Sequence, residues 1–137
     1  MRRRLLARLR AVTSDDGGAS PVEFVLVGTL LTVLTLGVLQ LGLTIYVRNV
    51  LHDAAVEGAY HAALADTSLT EGALRTSRIV TRAVGAAYAS DVVAHERARS
   101  GGPVIEVTVR APFPLIGLLG MPRMLEVTAH APIESFD

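Results

Sequence analysis

The chain has no cysteine and no tryptophan, none of its thirteen basic residues is a lysine, and only 4% of its residues are aromatic. Without cysteine there is no disulfide, no zinc–thiolate centre and no thiol nucleophile. With so few aromatics there is no alternation of basic and aromatic residues of the kind that stacks and neutralises a nucleic acid. The familiar carriers of chemistry are missing too. There is no H-E-x-x-H, no nucleophile elbow around any serine and no phosphate-cradling glycine loop, and Gly101-Gly102 fits a turn. Glu57 and His61 stand one helical turn apart, as two metal ligands would, but no third or fourth ligand accompanies them, and the expected reading is a solvated helix face. The expectation is a protein that is not an enzyme: no catalytic residue, no metal site, no cofactor, no small-molecule substrate and no nucleic-acid partner.

What the chain does have is apolar residues, 50% of the total, and they are concentrated rather than spread. From Phe24 to Val47 there is no charged side chain over 24 residues. About 20 residues of helix cross the hydrocarbon core of a bilayer. The polar members of this run are Thr29, Thr32, Thr35, Thr44 and Gln40. A threonine hydroxyl can return its hydrogen bond to a carbonyl one turn back, so threonine is tolerated in lipid. A chain of 137 residues has too little surface to wrap such a helix on every side as a buried core element.

Net charge is zero, but it is unevenly placed. Residues 1–18 carry Arg2, Arg3, Arg4, Arg8 and Arg10 against Asp15 and Asp16, a net +3, and the rest of the chain carries −3. Basic residues flanking a span stay on the cytoplasmic side, and only Arg48 closely follows this one. The expected topology is a single-pass membrane protein with a cytoplasmic N-terminus and an extracytoplasmic C-terminus. A removed secretory signal fits poorly, because the apolar run is too long and no A-x-A site closely follows it. The same missing site argues against a twin-arginine signal.

The junction before the span reads Gly17-Gly18-Ala19-Ser20-Pro21-Val22-Glu23-Phe24. Read locally, Ser20 at the N-cap, Pro21 at the first helical position and Glu23 three residues after the cap make a capping box. A carboxylate there also suits the positive end of the helix dipole. The same residues resemble the processing site of type IV pilins, and above all the Flp/Tad branch: glycine, four residues, glutamate, then Tyr or Phe, behind a short basic leader. Beyond the span, Arg48-Asn49 followed by Ala54-Ala55-Val56-Glu57-Gly58-Ala59 resembles TadE-like proteins, minor pilins or pseudopilins of the Tad pilus system. The resemblance covers residues 18–65. It implies that a prepilin peptidase cuts after Gly18, that Ala19 becomes the new N-terminus, and that Glu23 pairs with the free amine of a neighbouring subunit during assembly. It further implies a pilin or pseudopilin partner, a pilus assembly platform, and possible incorporation into a surface fibre or its base. The alternative is an uncleaved, membrane-anchored extracytoplasmic binding module.

No helix breaker separates Val47 from Ala65, so the membrane helix is expected to continue outward, giving a rod about 65 Å long at ~1.5 Å per residue. Leu51, Ala55, Gly58 and Ala62 make a stripe of mostly small side chains, and Asp53, Glu57 and His61 fall on another face. A second helix is predicted from Leu69 to about Ala89, opened by a capping box at Ser68 and Glu71, with Ala73, Ser77, Val80, Val84 and Ala87 inward and Arg75, Arg78 and Arg82 as a solvated basic stripe. Period-two alternation then predicts strands at Val104–Ala111 and around Leu125–Ala131, with a weaker strand at Asp91–Arg99 before a turn at Ser100-Gly101-Gly102-Pro103. The apolar loop Pro112–Pro122 either tucks into the core or touches the membrane or a neighbouring subunit.

The fold class expected is α+β: a long membrane-spanning helix, a second packed helix and a three-stranded antiparallel meander. The expected organisation is a leader over 1–18, a transmembrane and extended helix over 19–65, and an extracytoplasmic helix plus meander over 66–137. Within the span Gly37, Gln40 and Thr44 share one helical face with Arg48, a small and hydrogen-bonding surface suited to packing against another membrane helix.

Overall fold

The structure is a computed structural model that describes residues 19–114 and 124–133. Residues 1–18, with the Arg cluster and Gly18, and most of the Pro112–Pro122 loop lie outside the described residues. The chain divides into two units, residues 1–39 and residues 40–137.

Helix α1 runs from Ala19 to Ala63, 45 residues without a break. It starts ahead of the position expected: Ser20 and Pro21 are already helical, so Ser20 is not the residue capping the first turn. Its far end comes two residues before Ala65. No glycine stops it. Instead the Thr67 hydroxyl donates to the carbonyls of His61 and Leu64, and the Leu64 amide turns back to His61, supplying partners for the last turn.

Helix α2 spans Leu69–Ala83 and opens with the expected capping box. The Glu71 amide donates to Ser68 Oγ at 3.2 Å, and the Ser68 amide donates to Glu71 Oε2 at 2.8 Å. That amide, and then the Ser68 hydroxyl, hold the Glu71 carboxyl below the ordinary carboxylate range. A pKa lower in the folded chain than in the unfolded one gives a contribution fully present above the unfolded value and lost as pH falls towards the folded one. Glu71→Gln is therefore expected to flatten the acid limb of a thermal-melting series, between about pH 5 and 3 where carboxylates titrate. An acid limb identical to that of the unsubstituted chain would show that the box carries no proton linkage.

The second helix is shorter than the sequence pattern suggests. Val84 closes it, its amide donating to Val80 O at 2.9 Å, and Gly85 follows at φ +108°. Only glycine adopts that conformation without strain, so the chain leaves the helix there. Ala86–Tyr88 form one turn of 3-10 helix. The inward face of α2 is also set differently, centred on Gly72, Thr76 and Val80, with Ala73, Ser77 and Val84 half-buried beside it and Ala87 exposed.

Strands β1 (Asp91–Arg99), β2 (Gly102–Pro112) and β3 (Met124–Pro132) form an antiparallel sheet in the order β1-β2-β3, the expected meander. Gly102, at φ +112°, makes the turn between the first two. The register pairs Val107 with Ala94 on one side and with Ala129 on the other, and Glu106 with His95 and His130. One face is thus Ile105, Val107, Val109 and Ala111 with Leu125, Val127, Ala129 and Ala131, all buried. It joins Val80 of α2 and Val47, Leu51, Ala54, Ala55, Ala59, Ala62 and Ala63 of α1 in a single core. Burying a valine or leucine side chain contributes about 1.5–3 kcal/mol, so the sheet face supplies most of the core's apolar volume, while the alanines of α1 supply closeness.

Closeness is greatest where α1 meets α2. Gly58 and Gly72 face each other so tightly that a Cβ on Gly58 would fall 2.7 Å from the Gly72 carbonyl oxygen. The hydroxyl of Thr76, fully buried, donates across this crossing to the carbonyl of Ala54 at 3.1 Å. Above the same contact Arg75 reaches Glu57 with an Nη2–Oε1 distance of 2.5 Å, both side chains about half exposed (46% and 50%).

Candidate processing and assembly site

Among the described residues, the side chains of α1 from Ser20 to Leu39 are exposed. Val22, Phe24, Val25, Leu26, Val27, Leu30, Leu31, Val33, Leu34, Leu36, Val38 and Leu39 are each at least 59% exposed, and Phe24 reaches 80%. The most apolar window of this helix has a mean hydropathy of 2.2 and none of it is buried. Water is a poor solvent for such a surface, and a bilayer is a good one. The threonines of the run are self-satisfied as lipid would require. Thr29 donates to Val25 O at 2.7 Å, Thr32 to Gly28 O at 2.8 Å, Thr35 to Leu31 O at 2.8 Å and Thr44 to Gln40 O at 2.9 Å.

At the start of this surface stands Glu23, exposed, one turn inside a helix whose first residue is Ala19. It is the only charged side chain between Ala19 and Val47. Val22 and Phe24 flank it in sequence, Leu26 and Val27 stand one turn ahead of it, and Ser20 stands one turn behind. A carboxylate at the edge of hydrocarbon is costly alone and is stabilised by a cation brought against it in low dielectric. Gly18, on the N-terminal side of Ala19, lies outside the described residues.

The residues expected to form a helix-packing face divide between two environments. Gly37 has open space around it, with nothing within 4 Å of where a Cβ would be. Gln40 and Thr44 are half-buried, and the same face continues at 3-4 spacing through Val47 and Leu51, which are in the core. Gln40 Nε2 donates to the carbonyl of Pro114, at the exit of β2. This contact joins positions 74 residues apart and has no local sequence signal. The face therefore belongs in part to the chain's own folded domain. Arg48 is exposed.

Glu57 is taken by Arg75, and among the described residues no group of three or more His, Asp or Glu side chains is placed to hold a metal ion. Arg75 is thus ion-paired within the basic stripe, and all three of Arg75, Arg78 and Arg82 are exposed.

One polar cluster went unread in the sequence. On the outer face of the sheet Glu106, only 7% exposed, receives Arg97 Nη2 at 3.1 Å and His130 Nε2 at 3.0 Å. Arg99 Nη2 lies 3.0 Å from that same His130 nitrogen. A nitrogen that accepts from Arg99 has no proton to give Glu106, so the two contacts alternate with the imidazole's tautomer. The hint lay in the central position of β2 within the meander, where an outward carboxylate is shaded by strands on both sides.

A family model described as TadE-like protein matches residues 18–59. The match covers the Gly18–Phe24 junction, the apolar helix and the helix-crossing glycine at 58. No curated protein and no solved structure matches the chain. The long apolar helix and the TadE-like segment together fit a single-pass membrane protein associated with the Tad pilus.

Proposed function

We propose, from the TadE-like character of residues 18–59, that the protein is a minor pilin or pseudopilin acting in assembly of a Tad-type pilus or a related secretion apparatus. The observation that carries this reading is the exposed carboxylate of Glu23 near the start of a bare apolar helix that begins at Ala19. In this account residues 1–18 are a basic cytoplasmic leader, residues 19–65 the membrane and extended helix, and residues 66–137 the extracytoplasmic domain. A prepilin peptidase cuts after Gly18 on the cytoplasmic side. Ala19 then carries a free amine, and Glu23 pairs with the corresponding amine of a neighbouring subunit. The small side chain just past the cut leaves room for the peptidase.

Until it is incorporated, the subunit is held in the membrane by its span. It then acts by packing its helix against other pilin or pseudopilin subunits and the assembly platform. Gly37, with open space beside it, leaves room for a second helix backbone to approach. No catalytic step, metal or cofactor enters this account.

The intact mass of the protein extracted from membranes tests the reading. The chain is expected to begin at Ala19, and Gly18→Ala is expected to retain residues 1–18. A native chain that keeps its leader in cells containing an active prepilin peptidase would overturn the proposal and favour an uncleaved, membrane-anchored binding module.

A further inference from the structure

The outer domain has two unlike ends. Where β1 turns into β2, the strands carry Glu96, Arg97 and Arg99, all exposed, with His130 nearby on β3. Where β2 leaves the sheet and β3 enters it, the described residues are Ala111, Pro112, Phe113, Pro114, Met124 and Leu125, none of them charged, and Arg123 precedes Met124 in sequence. Pro112 pairs with Met124 in the register, so these residues share one end of the sheet, and Met124 is 59% exposed. The nearest charge on β2, Arg110, is neutralised by Glu126 at 2.7 Å and by Asp91 at 3.9 Å.

The depth of this end relative to a bilayer follows from one hydrogen bond. Gln40 Nε2 donates to the Pro114 carbonyl. Gln40 lies seven residues before Val47, the last residue of the charge-free run, which is about 10 Å along a helix axis. A span of about 20 residues counted from Phe24 ends near Leu43. By either boundary Gln40 lies within the apolar span, and a carbonyl bonded to its side chain shares that level. The local chemistry suits such a place. Pro112 and Pro114 have no backbone N–H, so this stretch brings few donors that would need a partner. Its buried acceptor at Pro114 has one in Gln40.

We infer that this end of the sheet rests at the outer edge of the bilayer's hydrocarbon core, with Met124 against lipid, while the β1–β2 turn points to water. The occupant is the lipid surface because the contact is continuous with the span itself. The inference needs only the membrane span and not the processing or assembly proposed above.

The chain has no tryptophan, so a single introduced one reports alone. Full-length protein would be reconstituted in phosphatidylethanolamine–phosphatidylglycerol vesicles containing phosphatidylcholines brominated at shallow or deep acyl positions. Met124→Trp, at an exposed position, is expected to emit to the blue and to lose most of its emission to the shallow bromines. Phe113→Trp serves as a second reporter at the same level. Ser100→Trp, in the β1–β2 turn, is expected to be unaffected, and Leu30→Trp to be quenched best by the deep bromines. Quenching of Leu30→Trp with Met124→Trp and Phe113→Trp as unaffected as Ser100→Trp would overturn the inference and leave the span intact, as would a shielded site on a second copy of the chain. Equal quenching of Ser100→Trp and Met124→Trp would overturn it as well. If Leu30→Trp is not quenched, the membrane reading falls and the inference falls with it.

Discussion

Glu23→Gln is expected to leave cleavage after Gly18 intact while removing the subunit from the assembled apparatus. The substitution preserves size and hydrogen-bonding capacity and deletes only the charge. If the acid acts in assembly by meeting an amine at the edge of hydrocarbon, the neutral amide leaves that amine unpaired. Breaking a buried ion pair by removing one partner costs about 3–5 kcal/mol, and each ~1.4 kcal/mol is tenfold in affinity, so incorporation should fall by more than about a hundredfold. The readout is the amount of mature chain recovered with sheared fibres and with the membrane assembly complex, alongside the mass of the chain left in the membrane. Glu23→Asp keeps the charge on a shorter arm and should retain part of the function. Full assembly with Gln at this position would mean that the carboxylate serves only the helix, through its favourable position near the positive end of the dipole.

Much of the fold was legible because its signals were periodic. The charge-free run of Phe24–Val47, the period-two alternation of Val104–Ala111 and the Ser68–Glu71 capping box each report a local rule that the folded chain obeys. The failures have physical causes of the same kind. The end of α2 was misplaced because Gly85, a single glycine in an otherwise helical pattern, reads as tolerated until its positive φ is known. Its inward face was misplaced because Thr76 reads as polar, although its hydroxyl is buried against the carbonyls of Ala54 and Gly72. The Gln40–Pro114 bond was beyond any local pattern, since it depends on how the meander is set against α1. At the candidate site the motif Gly18–Phe24 was visible in full, while its environment was not: only the structure displays the exposure of Glu23 at the start of the apolar surface.

Gly58→Ala is expected to be the most damaging single methyl group that can be added to the unit of residues 40–137. A Cβ there would sit 1.8 Å from Thr76 Oγ1, 2.7 Å from the Gly72 carbonyl oxygen and 3.2 Å from Thr76 Cβ. The first neighbour is a side chain that is itself fully buried, and the second is backbone, so neither can yield without moving α2 away from α1. Separation of the helices also breaks the hydrogen bond from Thr76 to Ala54 O, leaving buried polar groups unsatisfied. Overpacking a core costs about 1–3 kcal/mol and occasionally more, and for a domain of this size that lowers the melting temperature by at least about 5 °C. Gly37→Ala, where the same atom meets open space, should leave the melting temperature unchanged. Thr76→Ala in the Gly58→Ala background removes the worst contact but keeps the one to Gly72 O, so rescue should be partial, and the double substitution should be less harmful than the sum of the singles. Thermal melting of the wild type, Gly37→Ala, Gly58→Ala, Thr76→Ala and the double substitution, followed by circular dichroism in one detergent, decides the matter. Strict additivity, or a Gly58→Ala chain that melts with the wild type, would mean that the two helices do not cross at Gly58. The small-residue stripe of α1 would then have to be turned towards some other partner.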